Sequence, residues 1–235
     1  MKIAIMQPYF FPYLGYFGLI KHTDKWIVLD VVQFIRHGWI ERNRILKPTD
    51  GWQYVCVPLE QHKRDTLIKD IEIRQTENWK QKILSQLIHY KKKAPFYNSV
   101  IDFLNDCFKY DTNNISLLDS YLLKRTCDYL QMDFNYEIYS EMNLSIEPIC
   151  APGDWALYIS KALGATEYIN LPGGIELFDK NNFEDHGIKL TFFNINIKEY
   201  NQKSSNFEKG LSILDVMMFN SPETIQEMLN QFELL

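Results

Sequence analysis

The chain has 235 residues and a formal net charge of −5, with 46% hydrophobic and 23% charged residues. These proportions are typical of a globular protein and exclude a disordered or fibrous chain. An acidic balance also argues against extended nucleic acid as the partner, because proteins that bind phosphate backbones carry a basic footprint.

The cysteines and the N-terminal segment indicate in which cellular compartment the protein is found. The four cysteines, at positions 56, 107, 127 and 150, have neither CxxC spacing nor the density of a disulfide framework, which predicts reduced thiols in a cytoplasmic protein. The apolar start is interrupted by Gln7, Pro8 and Pro12, so it does not resemble a secretory signal. No stretch offers the ~20 uninterrupted apolar residues of a spanning helix, and we expect no membrane insertion.

The first elements alternate between strand and helix. Residues 2–6 predict a short strand, residues 16–24 a short helix, and residues 26–34 (WIVLDVVQF) a strand that is covered on both faces. Two further strands are predicted at residues 52–59 and 67–73. This order is typical of an α/β fold.

A helical segment follows, at residues 77–132. Trp79, Ile83, Leu87 and Tyr90 recur at helical intervals, and Pro95 ends that helix. Two more helices are expected, the second with Asn114 as its N-cap. We expect this segment to be an insertion or subdomain.

In the second half of the chain, predicted strands and helices alternate again. Strands are predicted at residues 134–139, 166–171 and 188–195, and helices at residues 152–164 and 221–232. The sequence therefore predicts a single α/β domain over residues 1–235, with a mostly parallel, Rossmann-like sheet and helices on both faces.

Twelve residues after the first strand, QPYFFPYLGYFG, are rich in aromatic residues, proline and glycine. In open α/β sheets the ligand crevice lies beyond the carboxyl ends of the strands, so this loop has the position of a binding site. Its amide, hydroxyl groups and flexible backbone suit contacts to a substrate. The alternative is that the aromatic side chains only pack the first helix against the sheet. The substrate-binding candidates are Gln7, Tyr9, Tyr13, Gly15 and Tyr16.

Three arginines follow the second predicted strand. Arg36, Arg42 and Arg44 lie within nine residues of one another in an acidic protein. The planar guanidinium group matches phosphate and carboxylate oxygens, so this segment is the best candidate for an anion site. Alternatively, the arginines are solvated or form ion pairs with Glu41 and Asp30.

Polar side chains near these arginines are candidates for chemistry. Asp30 and Gln33 lie at the end of the predicted strand, where Asp30 could act as a general base or bind an amine. It could equally serve as the ion-pair partner of an arginine. His37 and Asn43 lie among the arginines and are further candidates for proton transfer and for hydrogen bonding to an oxyanion, with Gln33 as a substrate ligand.

Gly173 and Gly174 follow another predicted strand. Their amides could cradle a ligand, although a plain tight turn explains a single Gly-Gly pair as well. No P-loop or GxGxxG motif is present, and the five histidines lack the spacing of a metal site, so no metal is predicted. No GxSxG motif points to a serine nucleophile.

The ordered blocks IMQPYFFPYLGYF, D-x-x-QF, R-x-x-W-x-x-RNRI, VPL, HYKKKAPFY and FEKGLSILDVMMFN resemble the WbqC-like protein family over nearly the whole chain. The resemblance implies a role in O-antigen or other surface-polysaccharide biosynthesis, with transfer of an amino acid such as glycine to an amino sugar. The segment LPGG fits the family pattern less well. The positions that match are Gln7, Pro8, Tyr9, Gly15, Tyr16, Asp30, Gln33, Phe34, Arg42, Asn43 and Arg44.

Tyr13-Leu14-Gly15-Tyr16 is also similar in position to the HxGH-type element of nucleotidylyltransferases and pantothenate synthetase. Tyrosine stands where that element has histidine, and a neutral phenol does not become a cation at neutral pH. The phosphate chemistry of those histidines is therefore not carried over.

The expected partners are a nucleotide-linked amino sugar and an activated amino acid or acyl donor. In this hypothesis the arginines hold the diphosphate, the loop tyrosines and Gln7 hold the sugar or base, Asp30 or His37 moves the proton, and Asn43 faces the oxyanion. The alternatives are a metal-independent glycosyltransferase, since no DxD motif is present, or a non-catalytic protein that binds sugar nucleotides. The sequence identifies no cofactor, acyl donor or oligomeric state.

Overall fold

A mostly parallel sheet of six strands forms the centre of the computed structural model, which describes residues 1–76 and 78–235. Its spatial order is β5-β2-β1-β6-β7-β8, and only the last pair is antiparallel. These strands are β1 (Lys2–Met6), β2 (Lys25–Val28), β5 (Tyr136–Ile138), β6 (Glu167–Asn170), β7 (Lys189–Ile195) and β8 (Phe232–Leu234). A separate antiparallel pair consists of β3 (Arg42–Leu46) and β4 (Trp52–Cys56).

Helices cover both faces of the sheet. Alternate side chains of β1 enter different cores: Ala4 packs in the larger one, whereas Ile3 and Ile5 pack in the smaller one. The larger core takes residues from α1 (Leu14–Lys21), α2 (Trp79–Leu87), α3 (Tyr97–Cys107), α4 (Ile115–Tyr129), α7 (Ile213–Phe219) and α8 (Pro222–Met228). The smaller core takes residues from α5 (Asp154–Ala162) and α6 (Lys180–Asp185).

The predicted fold class is confirmed, and the predicted helices of the helical segment are present within its described part. Glu77, where that segment was predicted to begin, lies outside the described residues. Trp79, Ile83, Leu87 and Tyr90 are buried, as their spacing predicts. The side chain of Asn114 caps α4 by accepting a hydrogen bond from the backbone N–H of Leu117 at 3.0 Å. The single-domain organisation stays a prediction.

Two predicted strands differ from the structure. The apolar run 26–34 is a strand only as far as Val28, since the chain turns after β2 and residues 31–35 run towards the cavity described below. Residues 67–73 contain a short 3₁₀ helix, Ile68–Asp70, instead of a strand. The apolar run of the first segment and the alternating burial of the second are also what a strand would show, so the sequence does not distinguish these segments from strands.

The chain changes direction across the sheet at β1. It adds β2 and then β5 on one side of β1, and afterwards places β6 on the other side. In a parallel sheet such a reversal separates the loops that follow the two neighbouring strands and opens a crevice between them. The loops after β1 and β6 therefore border a potential binding site. Over residues 1–76 and 78–235, no helix is both long and apolar enough to cross a membrane.

Candidate active site

A cavity of about 1110 Å³ lies at the carboxyl ends of β1, β2 and β6, and we call it the crevice. The loops after these strands form much of its wall, together with the residues before α5 and part of the β3 strand. Its residues are Ile5, Met6, Gln7, Tyr9, Pro12, Tyr13, Leu29, Val31, Val32, Gln33, Ile35, Trp39, Asn43, Arg44, Ile149, Cys150, Ala151, Pro152, Trp155, Ala156, Tyr168, Asn170, Leu171, Gly173, Gly174, Leu177, Phe178 and Gly210.

The aromatic loop after β1 has both of the roles considered from its sequence: some of its side chains pack in the core, and others line the crevice. Phe10 and Phe11 are buried in the larger core, whereas Tyr9 and Tyr13 line the crevice. Phe11 has a positive φ of 40°, an uncommon backbone conformation for a non-glycine residue. The hydroxyl of Ser212 donates to the Phe11 carbonyl at 2.7 Å and helps to hold that conformation. The loop therefore joins the core to the binding cavity.

Tyr9 and Tyr13, two of the three tyrosines in the described crevice wall, are neutral hydrogen-bonding groups. Burial raises the pKa of Tyr9, and burial together with the neighbouring Tyr9 raises the pKa of Tyr13. At neutral pH both phenols keep their protons, so each can donate a hydrogen bond to a ligand. Neither is suited to act as a base.

Tyr16 and Gly15 do not line the crevice, which corrects their expected placement. Tyr16 is fully buried, its ring packs edge-on against Trp26 at 4.9 Å, and its hydroxyl donates to the Gln7 carbonyl. Gly15 provides space, because a Cβ added there would lie 2.5 Å from the Tyr13 ring. Both residues therefore fix the positions of Gln7 and Tyr13, which do line the crevice.

Arg44 supplies the positive charge of the crevice. Its guanidinium lies over the rings of Trp39 and Trp52, at 5.4 Å and 5.1 Å from their centroids. One Nη2 hydrogen bond reaches the carbonyl of Gly210 at 3.1 Å, and the buried Nε has no hydrogen-bond partner among the described residues. Gly210 has a φ of 70°, in the left-handed region that favours glycine. The guanidinium is thus held in place with donor capacity left for an anion.

Arg36, Arg42 and His37 do not join Arg44, which corrects the expected convergence of the arginines. Arg36 donates from Nη2 to the carbonyl of His62 at 2.8 Å, outside the crevice. Arg42 lies 4.0 Å from the centroid of the Tyr54 ring and donates to the His37 carbonyl. His37 is exposed and does not line the crevice. Arg42 and Arg44 share one face of β3, but their guanidinium groups extend to different neighbours, the Tyr54 ring and the Gly210 carbonyl.

Asp30 has a structural role, in contrast to the catalytic role expected from its position in the sequence. It is 2% exposed, and its carboxylate accepts hydrogen bonds from the Ser140 backbone and hydroxyl at 3.0 Å and 2.6 Å. The Ser116 hydroxyl donates to it at 3.3 Å. Asp30 is not part of the crevice wall, and it pairs with serines instead of the arginines considered as its alternative partners. It ties α4 and the segment after β5 to the end of β2.

Asn43 borders the crevice but its amide is already used. Its Nδ2 donates to the carbonyls of Phe10 and Phe11 at 3.1 Å and 3.0 Å, and its Oδ1 accepts from the Arg44 backbone at 2.8 Å. An amide has two N–H donors, so both are occupied. The expected role as a donor to an oxyanion is therefore unsupported, and Asn43 instead positions the aromatic loop and Arg44.

Gly173 and Gly174 lie in a 3₁₀ helix, Pro172–Leu177, instead of a plain turn, and both line the crevice. A Cβ added at Gly173 would meet no atom within 4 Å, whereas one at Gly174 would lie 3.1 Å from the Phe178 ring and 3.2 Å from Asn170 Nδ2. Gly174 allows close packing of the wall, and Gly173 leaves open space. Gln33 also lies at the crevice, where its side chain donates to the Arg64 carbonyl at 2.6 Å.

Sequence reasoning missed much of the crevice wall. Tyr168 and Asn170 lie at the end of β6, with Asn170 Nδ2 donating to the Tyr168 hydroxyl at 2.7 Å. Cys150 comes from the segment that leads into α5, Trp155 lies in the first turn of α5, and Trp39 comes from the arginine-rich loop. A position at the end of a predicted strand was a usable signal for Asn170. No local pattern distinguishes Trp39 or Trp155 from a core aromatic residue.

The side chains that line the crevice limit the reactions that it could support. Among the described residues that line the crevice there is no aspartate, glutamate, histidine or lysine. Arg44 is the one permanently charged group within that described wall, and the remaining polar contacts are amides, phenols and a thiol. The crevice is therefore suited to binding and orienting an anionic ligand. Across residues 1–76 and 78–235, no cluster of three or more His, Cys, Asp or Glu side chains could hold a metal ion.

Comparisons with known proteins agree with the sequence resemblance. A model of the WbqC-like protein family matches residues 7–227. The uncharacterized protein Rv1507c of Mycobacterium tuberculosis is 28% identical over 233 residues, covering 93% of each chain. No solved structure gives a significant match. Because the family model covers most of this chain, the protein belongs to the WbqC-like family.

Proposed function

We propose that the protein is a cytoplasmic transferase of surface-polysaccharide (O-antigen) biosynthesis. It forms an amide by transferring an amino acid such as glycine, or another acyl group, to the amino group of a nucleotide-linked amino sugar. The observation that supports this proposal is the crevice: a cavity of about 1110 Å³ at the switch point of a parallel sheet, with aromatic walls and one fixed arginine.

The composition of the crevice wall fits a sugar bearing an anionic group. Aromatic faces such as Trp39 and Trp155 can stack on apolar sugar surfaces or on a base, and the Tyr9 and Tyr13 phenols can hydrogen bond to hydroxyl groups. Arg44 would bind the anionic group, since its guanidinium is positioned by contacts with two indole rings.

The proposed step forms a C–N bond between the sugar amine and the acyl carbonyl carbon. It breaks the bond from that carbon to the oxygen or sulfur leaving group, and the proton lost from nitrogen goes to the leaving group or to water. Since no carboxylate or imidazole is found in the described crevice wall, the donor must arrive already activated. The protein then contributes proximity and orientation, which can supply ~7–11 kcal/mol of a barrier.

Product formation tests this proposal. Purified protein is incubated with a nucleotide-linked 4-amino sugar and glycyl thioester, glycyl adenylate or glycyl-tRNA, with mass spectrometry as the readout. We expect one glycyl unit to be added to the sugar, and Arg44→Ala to lower kcat/KM by roughly tenfold to a hundredfold through loss of charge-assisted hydrogen bonds.

Arg42→Ala is the matched control, because Arg42 also lies on β3 and stacks on a ring but is outside the crevice. It should leave kcat/KM within about threefold of the wild-type value. Arg44→Lys keeps the charge but loses the planar contacts, so intermediate activity is expected. Equal losses for Arg42→Ala and Arg44→Ala would contradict a specific role for Arg44. No added mass with any of the three donors would contradict acyl transfer.

Filling the crevice tests where the sugar binds. Gly173→Phe adds a ring where a Cβ meets no neighbour, so we expect a folded protein whose affinity for the nucleotide-linked sugar falls at least about tenfold. Gly173→Ala is the small-volume control and should bind as the wild type does. Calorimetric affinity and thermal unfolding measure both properties. Unchanged affinity in Gly173→Phe would show that the ligand binds elsewhere.

A non-catalytic protein that binds sugar nucleotides is the second candidate. The lack of a general acid or base in the described crevice wall favours it. Calorimetry and the transfer assay distinguish the two functions. Tight binding that depends on Arg44, without turnover for any activated donor, would favour the binding protein.

A further inference from the structure

A second, smaller cleft adjoins the crevice. It has a volume of about 400 Å³ and shares two residues, Gln33 and Ile35, with the crevice wall. We call it the mouth cleft. Its residues are Gln33, Phe34, Ile35, Arg36 and Arg64.

Backbone pairing brings the two arginines of the mouth cleft together. The backbone N–H of Phe34 donates to Thr66 at 2.9 Å, and Gln33 pairs with Leu67 in an antiparallel bridge. The Gln33 side chain donates to the Arg64 carbonyl at 2.6 Å. The segment after β2 and the segment before the 3₁₀ helix at 68–70 therefore form one wall that is held by hydrogen bonds.

Both guanidinium groups carry charge that no carboxylate of the described residues neutralises in an ion pair. Arg36 donates from Nη2 to the His62 carbonyl at 2.8 Å and from Nε to His62 Nε2 at 3.4 Å, which leaves donors of its planar fork available. The Arg64 guanidinium makes no hydrogen bond or ion pair with the described residues, and neither arginine is in an ion pair with them. Two such cations in one cleft, within a protein of net charge −5, attract an anion with more than one charge.

We propose that the mouth cleft is a phosphate subsite: Arg36 and Arg64 bind the phosphate or diphosphate group of a ligand whose sugar lies in the crevice. This inference takes the identity of the ligand from the proposed function, which it deepens. It assigns the substrate class as a nucleotide-linked sugar with two anionic groups: the diphosphate at the mouth cleft and the anionic group of the sugar at Arg44. The shared Gln33 and Ile35 form the passage between the two sites.

Binding of inorganic pyrophosphate tests the subsite without requiring catalysis. We expect the wild-type protein to bind pyrophosphate at millimolar concentrations or below, as measured by calorimetry at low salt. The double variant Arg36→Ala/Arg64→Ala should bind at least about tenfold more weakly, because it loses the charge-assisted hydrogen bonds of both guanidinium groups. In the transfer assay the same variant should raise KM for the nucleotide-linked sugar while kcat stays unchanged.

Lys63→Ala is the matched control, because this exposed cation adjoins Arg64 in sequence but does not line the mouth cleft. It should change pyrophosphate affinity by less than about threefold. The proposal is overturned if the wild-type protein fails to bind pyrophosphate, or if Lys63→Ala weakens binding as much as the double variant does.

A third variant separates this inference from the proposed function. If Arg44→Ala abolishes pyrophosphate binding and the double variant keeps it, the phosphate site lies in the crevice and the mouth-cleft proposal is wrong. The amide-forming proposal would survive that result. If the double variant loses pyrophosphate binding but no acyl donor yields product, the subsite stands and the transfer reaction is contradicted.

Discussion

Asp119→Asn is expected to stabilise the protein at neutral pH by more than about 1 kcal/mol, an unusual direction for a core substitution. Asp119 is fully buried on α4, and neither of its carboxylate oxygens has a partner among the described residues. The nearby Ser116 and Ser120 hydroxyls donate elsewhere, to Asp30 and to the Ser116 carbonyl. The chain therefore contains a buried acid that is costly to ionise.

Burial, and secondarily the charge of Glu41, raises the pKa of Asp119 well above its ordinary value. A carboxyl group with a raised pKa in the folded state binds a proton that the unfolded chain releases near pH ~3.9. Stability is therefore lost as the pH rises from that value towards the folded-state pKa. Asparagine has the same shape and does not titrate, so its advantage should grow with pH and disappear near pH ~4.

Denaturant unfolding at a series of pH values measures this effect. Asp106→Asn is the control of opposite sign: Asp106 pairs with Arg125 at 2.7 Å, and hydrogen bonds from Arg125 and Lys109 lower its pKa. That variant should lose stability at neutral pH. If Asp119→Asn destabilises the protein, and does so increasingly as the pH rises, the Asp119 carboxylate has a stabilising partner and the argument is wrong.

Asp215→Ala is expected to destabilise the protein by roughly 3 to 5 kcal/mol, because it leaves several buried hydrogen-bond donors without an acceptor. The Asp215 carboxylate accepts hydrogen bonds from Tyr90 at 2.5 Å, Tyr200 at 2.6 Å and Gln202 at 3.0 Å. Tyr90 in turn accepts the backbone N–H of Leu46 at 2.9 Å. The network joins α7, β3 and the segment that presents Gly210 to Arg44, so ligand affinity should fall as well.

Tyr200→Phe removes one donor of this network and should cost only about 1 kcal/mol. Burial raises the pKa of Asp215 to about 6, although its three hydrogen bonds oppose the shift. This group therefore stabilises the fold most at acid pH, and its contribution declines as the pH rises from ~4 to about 6. Thermal unfolding across that range measures both effects. A loss for Asp215→Ala no larger than that for Tyr200→Phe would contradict the network.

Side chains that are neighbours in the sequence have different roles in the structure, because tertiary packing determines which of them are buried in the core and which line the crevice. In the aromatic loop, Phe10 and Phe11 entered the core, while Tyr9 and Tyr13 faced the crevice. Composition predicted the importance of this loop, but the alternation depends on the positive φ of Phe11 and on hydrogen bonds from Asn43. Those contacts join residues 32 or more positions apart, which no local pattern encodes.

The expected catalytic residues illustrate the same limit. Asp30, His37 and Asn43 have suitable chemistry, and their positions after β2 and in the arginine-rich segment were reasonable grounds for selecting them. Asp30 and Asn43 are saturated by structural hydrogen bonds, and His37 lies outside the crevice. A sequence gives the type of a polar group, whereas its unused hydrogen-bonding capacity depends on long-range contacts.

By itself the sequence determined the α/β class, the principal helices and strands, and the family, because hydrophobic periodicity and ordered motifs are local properties. It also predicted that the loop after β1 lies at a crevice, since the end of a first parallel strand has a known position in such sheets, and Tyr9 and Tyr13 line that crevice. Only the tertiary structure decided that Arg44 faces the crevice, that Arg36 joins Arg64 at the mouth cleft, and that Trp39 and Trp155 complete the wall. The physical reason is that side-chain direction and neighbours arise from the packing of segments far apart in the chain.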